Sequence, residues 1–256
     1  MNNTKDKVKD YWNERSSTFD LSPGHAIGSR EEREAWVSLF QDKFGKGIRK
    51  ILDIGSGTGF LSLILAEMGY DVVGVDISEE MLENAKKKTV DRGVKLEFKL
   101  GDAEALPFKS GFFDAIVNKA VLWTLPNPKK ALVEWKRVLK PGGKLCFFLH
   151  EPHHDGITQP FRRQLGNVLI LCIERRNPWH SLSNKKLGVE LPFRGGVEPS
   201  VITELLEDAG FEQVSAEQMH EISRLKTEKM PLCYRIAHNH IQYCYTAVKP
   251  EPEVDG

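Results

Sequence analysis

No stretch of this chain approaches the roughly 20 apolar residues that a membrane-spanning helix needs. Its start, MNNTKDKVKDYWNERSS, is charged where a secretion signal would be apolar. These absences set the expectation of a cytoplasmic protein with no membrane partner. Net charge is lacking too: Lys plus Arg and Asp plus Glu stand at 36 each, so no overall field draws in nucleic acid or an acidic surface. A small molecule is the expected partner, and nothing separates a monomer from a homodimer. Cysteine is scarce, with Cys146, Cys172, Cys233 and Cys244 forming no CxxC pair. Buried thiols in a reducing compartment are expected rather than a disulfide framework.

What is present is a rhythm. From Ile51 onward short apolar runs alternate with amphipathic stretches, as in strand and helix units laid into a parallel sheet. KILDIG reads as the first strand, FLSLILAEMG as a helix stopped by Gly69, DVVGVD as the second strand, and EEMLENAKKKTVDRG as a helix capped by Ser78. KLEFKLGD and FFDAIVNKA carry the third and fourth strands. NPKKALVEWKRVLKPGG reads as a helix closed by Pro141 and Gly142 before a fifth strand, KLCFFLH. Beyond His150 the rhythm breaks into a segment rich in His, Arg, Pro and Trp with one helix near QLGNVLILCIE. It returns with PSVITELLEDAGF and two closing strands, EQVSAEQM and IQYCYTAVK.

One domain of 256 residues is expected: an N-terminal helical cap over 1–47, a binding core over 48–150, a lid insertion over 151–198, a C-terminal helix and strands over 199–249, and a tail over 250–256. The fold class is α/β, a doubly wound sheet, mostly parallel with a C-terminal antiparallel strand.

The most informative residues are Asp53-Ile54-Gly55-Ser56-Gly57-Thr58-Gly59, where the first strand turns into a helix. The backbone must turn sharply there, and a Cβ would keep a ligand from the main chain. A dinucleotide fingerprint would place its third glycine at Phe60; the GxGxG spacing found instead suits an adenosyl group with an amino-acid tail. Asp76 ends the second strand 21 positions after Gly55, close to the roughly 20-residue interval at which an acid meets a ribose. Gly101-Asp102-Ala103, at the end of the third strand, offers an acceptor for an adenine amine.

On ILDIGSGTGFLSLILAEMGYDVVGVDISEEMLENAKKK and GDAEALPFKSGFFDAIVNKAVLWTLPNPKKALVEWKRVLKPGGKL, the chain resembles the class I methyltransferases dependent on S-adenosylmethionine. Within them it is similar to the small-molecule group that includes the ubiquinone/menaquinone biosynthesis enzymes. The resemblance runs from Ile51 to Leu145 and implies a Rossmann-like fold, S-adenosyl-L-methionine as cofactor, and S-adenosyl-L-homocysteine as product. It implies that Gly55, Ser56, Gly57 and Gly59 surround the methionine moiety, Asp76 holds the ribose, Ile77 and Met81 flank the adenine, Asp102 and Ala103 meet its edge, and Asn118 lies beneath the sulfonium. Asp53 and Glu104 complete the expected cofactor set.

Methyl transfer from a sulfonium is a direct displacement, so no fixed triad is sought. Candidates near the acceptor are Tyr11, His25, Trp123, His150, His153 and His154, with Tyr11, His25 and His150 the candidates for a catalytic role. Arg162, Arg163, Arg175, Arg176 and Arg194 make the insertion basic and suggest an anionic acceptor. No metal is expected: His150 to Asp155 reads as a polar loop, and Cys233, His238, His240 and Cys244 fall on opposite faces of an expected strand. Two other readings stay open, an NAD-dependent oxidoreductase and a non-catalytic regulator that binds S-adenosylmethionine.

Overall fold

The computed structural model describes residues 3–22, 24–150, 159–174, 191–193, 196–237 and 241–252. Among them, β1 (Lys50–Ile54), β2 (Asp71–Asp76), β3 (Glu97–Leu100), β4 (Phe113–Lys119), β5 (Leu139–His150), β6 (Glu212–Gln218) and β7 (Gln242–Val248) form one sheet in the order β3-β2-β1-β4-β5-β7-β6. The first five strands run parallel, and β7 runs antiparallel to both β5 and β6. The chain travels outward from β1 to β3 and then returns to the other side of β1. The order therefore reverses between β1 and β4, and the carboxyl ends on either side of that point leave a crevice.

Alternation along each strand assigns its side chains to one of two cores. Leu52, Ile54, Val73, Val75, Leu145 and Phe147 face the layer of Trp135 and Leu206. Ile51, Val72, Val117, Cys146 and Phe148 face the layer of Trp36 and Phe40. A period of two buries both faces of the sheet, so the polar residues of β1, β2 and β4 gather toward the strand ends.

The helices are α1 (Asn3–Arg15), α2 (Arg30–Phe44), α3 (Phe60–Glu67), α4 (Glu79–Arg92), α5 (Pro128–Val138), α6 (Gln159–Glu174), α7 (Pro199–Asp208), α8 (His220–Lys229) and α9 (Leu232–Ala237). Ser78 caps α4 as expected, its Oγ accepting from Met81 N at 3.1 Å. The α2 helix, expected in the N-terminal cap, is a sheet-layer helix: Trp36, Phe40 and Phe44 recur every fourth residue and are fully buried against the sheet. Of these two N-terminal helices, α1 is the one that lines the cavity at the carboxyl edge. No described helix is long and apolar enough to cross a membrane.

Two expectations are corrected. The helix before β5 ends at Val138, so Pro141 and Gly142 lie inside β5 rather than closing the helix. The region before β7 is not strand: α8 and α9 fill it, and Cys233 is a buried helix residue. In α8, Ile222 and Lys226 are buried one turn apart, a helical spacing that the charged neighbours in HEISRLKTEK conceal. His238 and His240 lie outside the described residues, as do residues 253–256 of the tail.

Trp135 ties this scaffold to the strand-end loops. Its ring is fully buried on α5, and its Nε1 donates to the carbonyl of Ala103 at 3.0 Å. Trp135→Ala is expected to lower the unfolding free energy by about 3–5 kcal/mol, read from urea titrations; a loss below about 1 kcal/mol would take this ring out of the set that holds the core.

Candidate active site

A cavity of about 360 Å³ lies where β1, β2 and β4 end, roofed by Lys5, Val8, Tyr11 and Trp12 of α1. Its floor is set by the glycine turn. Gly55 has φ +62°, and a Cβ there would stand 2.3 Å from Val121 Cγ2, so no larger residue fits between the turn and the segment after β4. Gly57, at φ +53°, donates its N–H to Asp76 Oδ2 at 2.8 Å, and Ser78 N donates to Oδ1 at 2.8 Å. Burial pushes the Asp76 carboxyl above its usual range, opposed by the amides of Ser78, Gly57 and Ile77. Each oxygen keeps acceptor capacity, because a carboxylate offers about four lone-pair sites.

Strand order lays the polar groups out in a line. Asp102 follows β3, Asp76 ends β2, Gly55 follows β1, Lys119 ends β4 and His150 ends β5, and all five line the cavity. With strands roughly 4.8 Å apart, the line is long enough for an extended ligand whose acidic contacts lie at one end and whose basic contacts lie at the other. Ile77, Met81 and Ala103 also line the cavity.

Five of the expected cofactor residues do not line the cavity: Asp53, Glu104, Ser56 and Gly59 stand behind its wall, and Asn118 is buried beside β1. Asp53 is buried and accepts from Ser62 N at 3.0 Å and Ser62 Oγ at 2.6 Å, which pins the first turn of α3. Burial raises its carboxyl to about 7 against those hydrogen bonds. Glu104 is buried; it accepts from Asn127 N at 2.6 Å and takes Lys5 Nζ at 2.7 Å. Ser56 and Gly59 shape the turn, Ser56 N donating to Val75 O and Gly59 N to Ser56 O. These four build the wall rather than line it. Asn118 is fully buried next to β1, in register with Ile54, and neither of its amide atoms has a partner among the described residues. Leaving such a group unpaired costs about 1–3 kcal/mol.

The lid is fastened by residues that the sequence did not single out. Lys5 Nζ lies 2.6 Å from Asp102 Oδ2 and 2.7 Å from Glu104 Oε2. Burial works against its charge, yet the two carboxylates hold its pKa above the ordinary lysine value. Ser78 Oγ donates to Asn13 Oδ1 at 2.7 Å, docking the end of α1 on the N-cap of α4.

Aromatic rings fill the space beneath. Trp12 meets Tyr11, Phe19 and Trp123 edge-on at centroid distances of 5.0, 5.9 and 6.1 Å, and Tyr11, Trp12, Phe19 and Trp123 all line the cavity. His25 stacks on Phe19 at 4.1 Å and is held 3.0 Å from the Phe19 carbonyl through Nδ1. A carbonyl only accepts, so Nδ1 carries the proton and Nε2 keeps its lone pair. Burial, then the charge of Lys119, lowers His25 to about 3. The His150 ring Nε2 lies 3.4 Å from Gln242 Nε2, and Gln242 Oε1 accepts from Lys226 Nζ at 3.0 Å. Ala120 takes φ 60° although it has a Cβ, a strained backbone at the cavity wall.

Of the other expected acceptor residues, His153 and His154 lie outside the described residues, as do Arg175, Arg176 and Arg194. The Arg162 side chain is exposed on α6, and that of Arg163 is not described. Among the described residues, no cluster of His, Cys, Asp or Glu is arranged to hold a metal ion.

Residues 52–147 match the methyltransferase domain family. The chain is 36% identical to the demethylmenaquinone methyltransferase of Renibacterium salmoninarum, over 55% of this chain and 57% of that enzyme. It is 40% identical to the ubiquinone/menaquinone biosynthesis C-methyltransferase of Rickettsia felis, over 69% of this chain and 75% of that enzyme. The chain spans only about half the length of some curated relatives, 51% for the Thermus thermophilus demethylmenaquinone methyltransferase. Haemonchus contortus phosphoethanolamine N-methyltransferase 2, solved with phosphomonomethylethanolamine and S-adenosylhomocysteine, aligns over 97% of this chain and 60% of its own. The TM-score is 0.67 at 18% identity, a likeness of fold.

The low value at His25 has a consequence for stability. Between about 3 in the folded protein and 6.5 in the free side chain, the unfolded chain binds the extra proton, so His25 makes stability rise with pH across that window and adds no slope above it. In urea titrations, the free-energy gap between the native protein and His25→Phe is expected to widen in favour of the native protein as pH rises toward 6.5, then stay level. Parallel pH profiles would show that His25 is not held neutral.

Proposed function

This chain belongs to the methyltransferase family that includes the demethylmenaquinone and ubiquinone/menaquinone biosynthesis enzymes, and from that premise we propose that it transfers a methyl group from S-adenosylmethionine to a small, flat ring compound of the quinol class. The observation that carries this reading is the line of Asp102, Asp76, Gly55, Lys119 and His150 along one sheet edge, all facing one cavity. Its acidic half fits an uncharged nucleoside. The Asp76 carboxylate has acceptor sites left for two ribose hydroxyls and would repel a phosphate in their place.

When bound, S-adenosylmethionine supplies a methyl carbon on a sulfonium, a leaving group good enough that alignment dominates the barrier. The chain's own residues supply that alignment. Asp76 holds the ribose, and the Gly55–Gly57 turn lets the amino-acid tail lie against the main chain. Asn118, whose amide finds no partner among the described residues, lies beneath the reacting region. Ile77 and Met81 clamp the adenine, and Asp102 accepts from its amine with the lone pairs that Lys5 and Glu104 N leave unused. The α1 lid keeps water out. Tyr11, Trp12 and Trp123 hold a flat acceptor by ring contacts, consistent with the ring substrates that the relatives' names carry.

Titration calorimetry tests the cofactor assignment. S-adenosylhomocysteine is expected to bind and NAD not to, and Asp76→Ala is expected to cost about 1.5–3 kcal/mol of S-adenosylhomocysteine affinity. Binding of NAD alone, or an unchanged affinity in the variant, would overturn the reading.

A further inference from the structure

Two lysines, Lys226 buried and Lys119 half-buried, stand at the basic end of the line, beyond what binding a methyl donor requires. Lys119 Nζ donates to the Gly24 carbonyl at 3.2 Å and stands 4.8 Å over the Phe60 ring. Lys226 lies on the other side of Gly24, so close that a Cβ on that residue would stand 3.0 Å from Lys226 Cε. Lys226 is committed to Gln242 and does not line the cavity, whereas Lys119 does. Lys226 from α8, Glu32 from α2 and Asp53 from β1 act on the charge of Lys119, His25 from the loop after α1 feels that charge in turn, and Arg15 from α1 and His150 from β5 line the same cavity.

With both lysines protonated, two like charges stand on either side of Gly24. Glu32 is buried; its Oε2 accepts from Gly28 N at 2.8 Å, and its Oε1 has no hydrogen-bond partner among the described residues. Asp53 is buried as well and accepts from Ser62 Oγ at 2.6 Å. Among the described residues the hydrogen-bond acceptors of the two ammonium groups are the Gly24 carbonyl and Gln242 Oε1, neutral atoms, so the repulsion between the lysines is relieved either by an anion in the cavity or by loss of a proton from the lysine that reaches it.

We propose that Lys119 takes the proton of an aromatic hydroxyl on the methyl acceptor and then holds the oxyanion as an ammonium group, with Lys226 and Glu32 fixing its charge. Burial, then the repulsion of Lys226, brings the Lys119 amine down to about 7, so the neutral form with a free lone pair is populated near neutral pH. In the step, the acceptor's O–H bond breaks with its electron pair left on oxygen, and the proton forms a new N–H bond on Lys119 Nζ. The electron-rich oxygen, or the ring carbon beside it, then attacks the methyl carbon as the carbon–sulfur bond breaks toward sulfur. If carbon is methylated, its C–H proton passes to water, the C–H electron pair restores the aromatic ring, and the Lys119 ammonium returns its proton to the oxygen. The purpose of this step rests on the methyl-transfer reading; its test does not.

The probe is 2-naphthol, a flat aromatic alcohol whose absorbance reports its ionisation, added to the purified full chain at about pH 8, where the free alcohol is un-ionised. Native protein is expected to bind it as naphtholate, with the ionised fraction raised at least about tenfold over free probe, and Lys119→Met to abolish that rise. Lys119→Arg separates a proton acceptor from a fixed cation, because arginine stays charged. Calorimetry in buffers of differing ionisation enthalpy should show no proton released on binding to native protein and one released on binding to Lys119→Arg. S-adenosylhomocysteine binding by both variants shows that they are folded. Failure of native protein to bind the probe, binding as the neutral alcohol, or proton release equal to that of Lys119→Arg would overturn the proposal. Loss of S-adenosylhomocysteine binding in native protein would instead remove the methyl-transfer reading and leave the proton-acceptor result standing.

Discussion

The hydrogen bonds from Gly57 N and Ser78 N to the Asp76 carboxylate are the constraint on which the rest of the site depends. They join the glycine turn after β1 to the start of α4 through a side chain at the end of β2, so three separate elements are held in one geometry. A buried carboxylate is costly unless hydrogen-bonded, and here the groups that satisfy it are main-chain amides, one from the glycine turn and one from the N-cap of α4. The cavity is thus a product of sheet topology: parallel strands bring their carboxyl ends together, and the reversal of strand order between β1 and β4 leaves room between them.

Around that fixed point, charge is segregated. Carboxylates of Asp76 and Asp102 stand at the β2 and β3 side, and Lys119, Lys226 and His150 stand at the β4 and β5 side. Burial strengthens this asymmetry by weakening screening, so His25 is kept neutral and Lys119 is held near its point of proton loss. The α1 lid spans both halves. Lys5 anchors it at the acidic end, and the Trp12 cluster packs beneath it where an acceptor ring would lie.

Much of this was legible in the residues. The strands from Ile51 to His150 declared themselves by apolar period and turn chemistry, and the spacing of Gly55, Asp76 and Asp102 placed all three on one cavity wall. The roles of Asp53 and Glu104 were not legible, because residue type does not show which way a carboxylate points; both face inward and hold backbone. The α8 helix was hidden by a charged sequence whose buried face is a single stripe, and α9 by its length of 6 residues. Lys119 did leave a signal: in FDAIVNK a lysine follows the buried run Ala115 to Asn118, a charge where the chain leaves a buried strand. Lys5 left none, since its partners are 97 and 99 positions away in sequence.

A crystal structure with S-adenosylhomocysteine tests the central claim most directly. The account predicts both ribose hydroxyls within hydrogen-bonding distance of Asp76, the adenine between Ile77 and Met81, and the sulfur turned toward Lys119 and His25. A nucleoside bound away from Asp76, or a sulfur pointing toward Asp102, would contradict it.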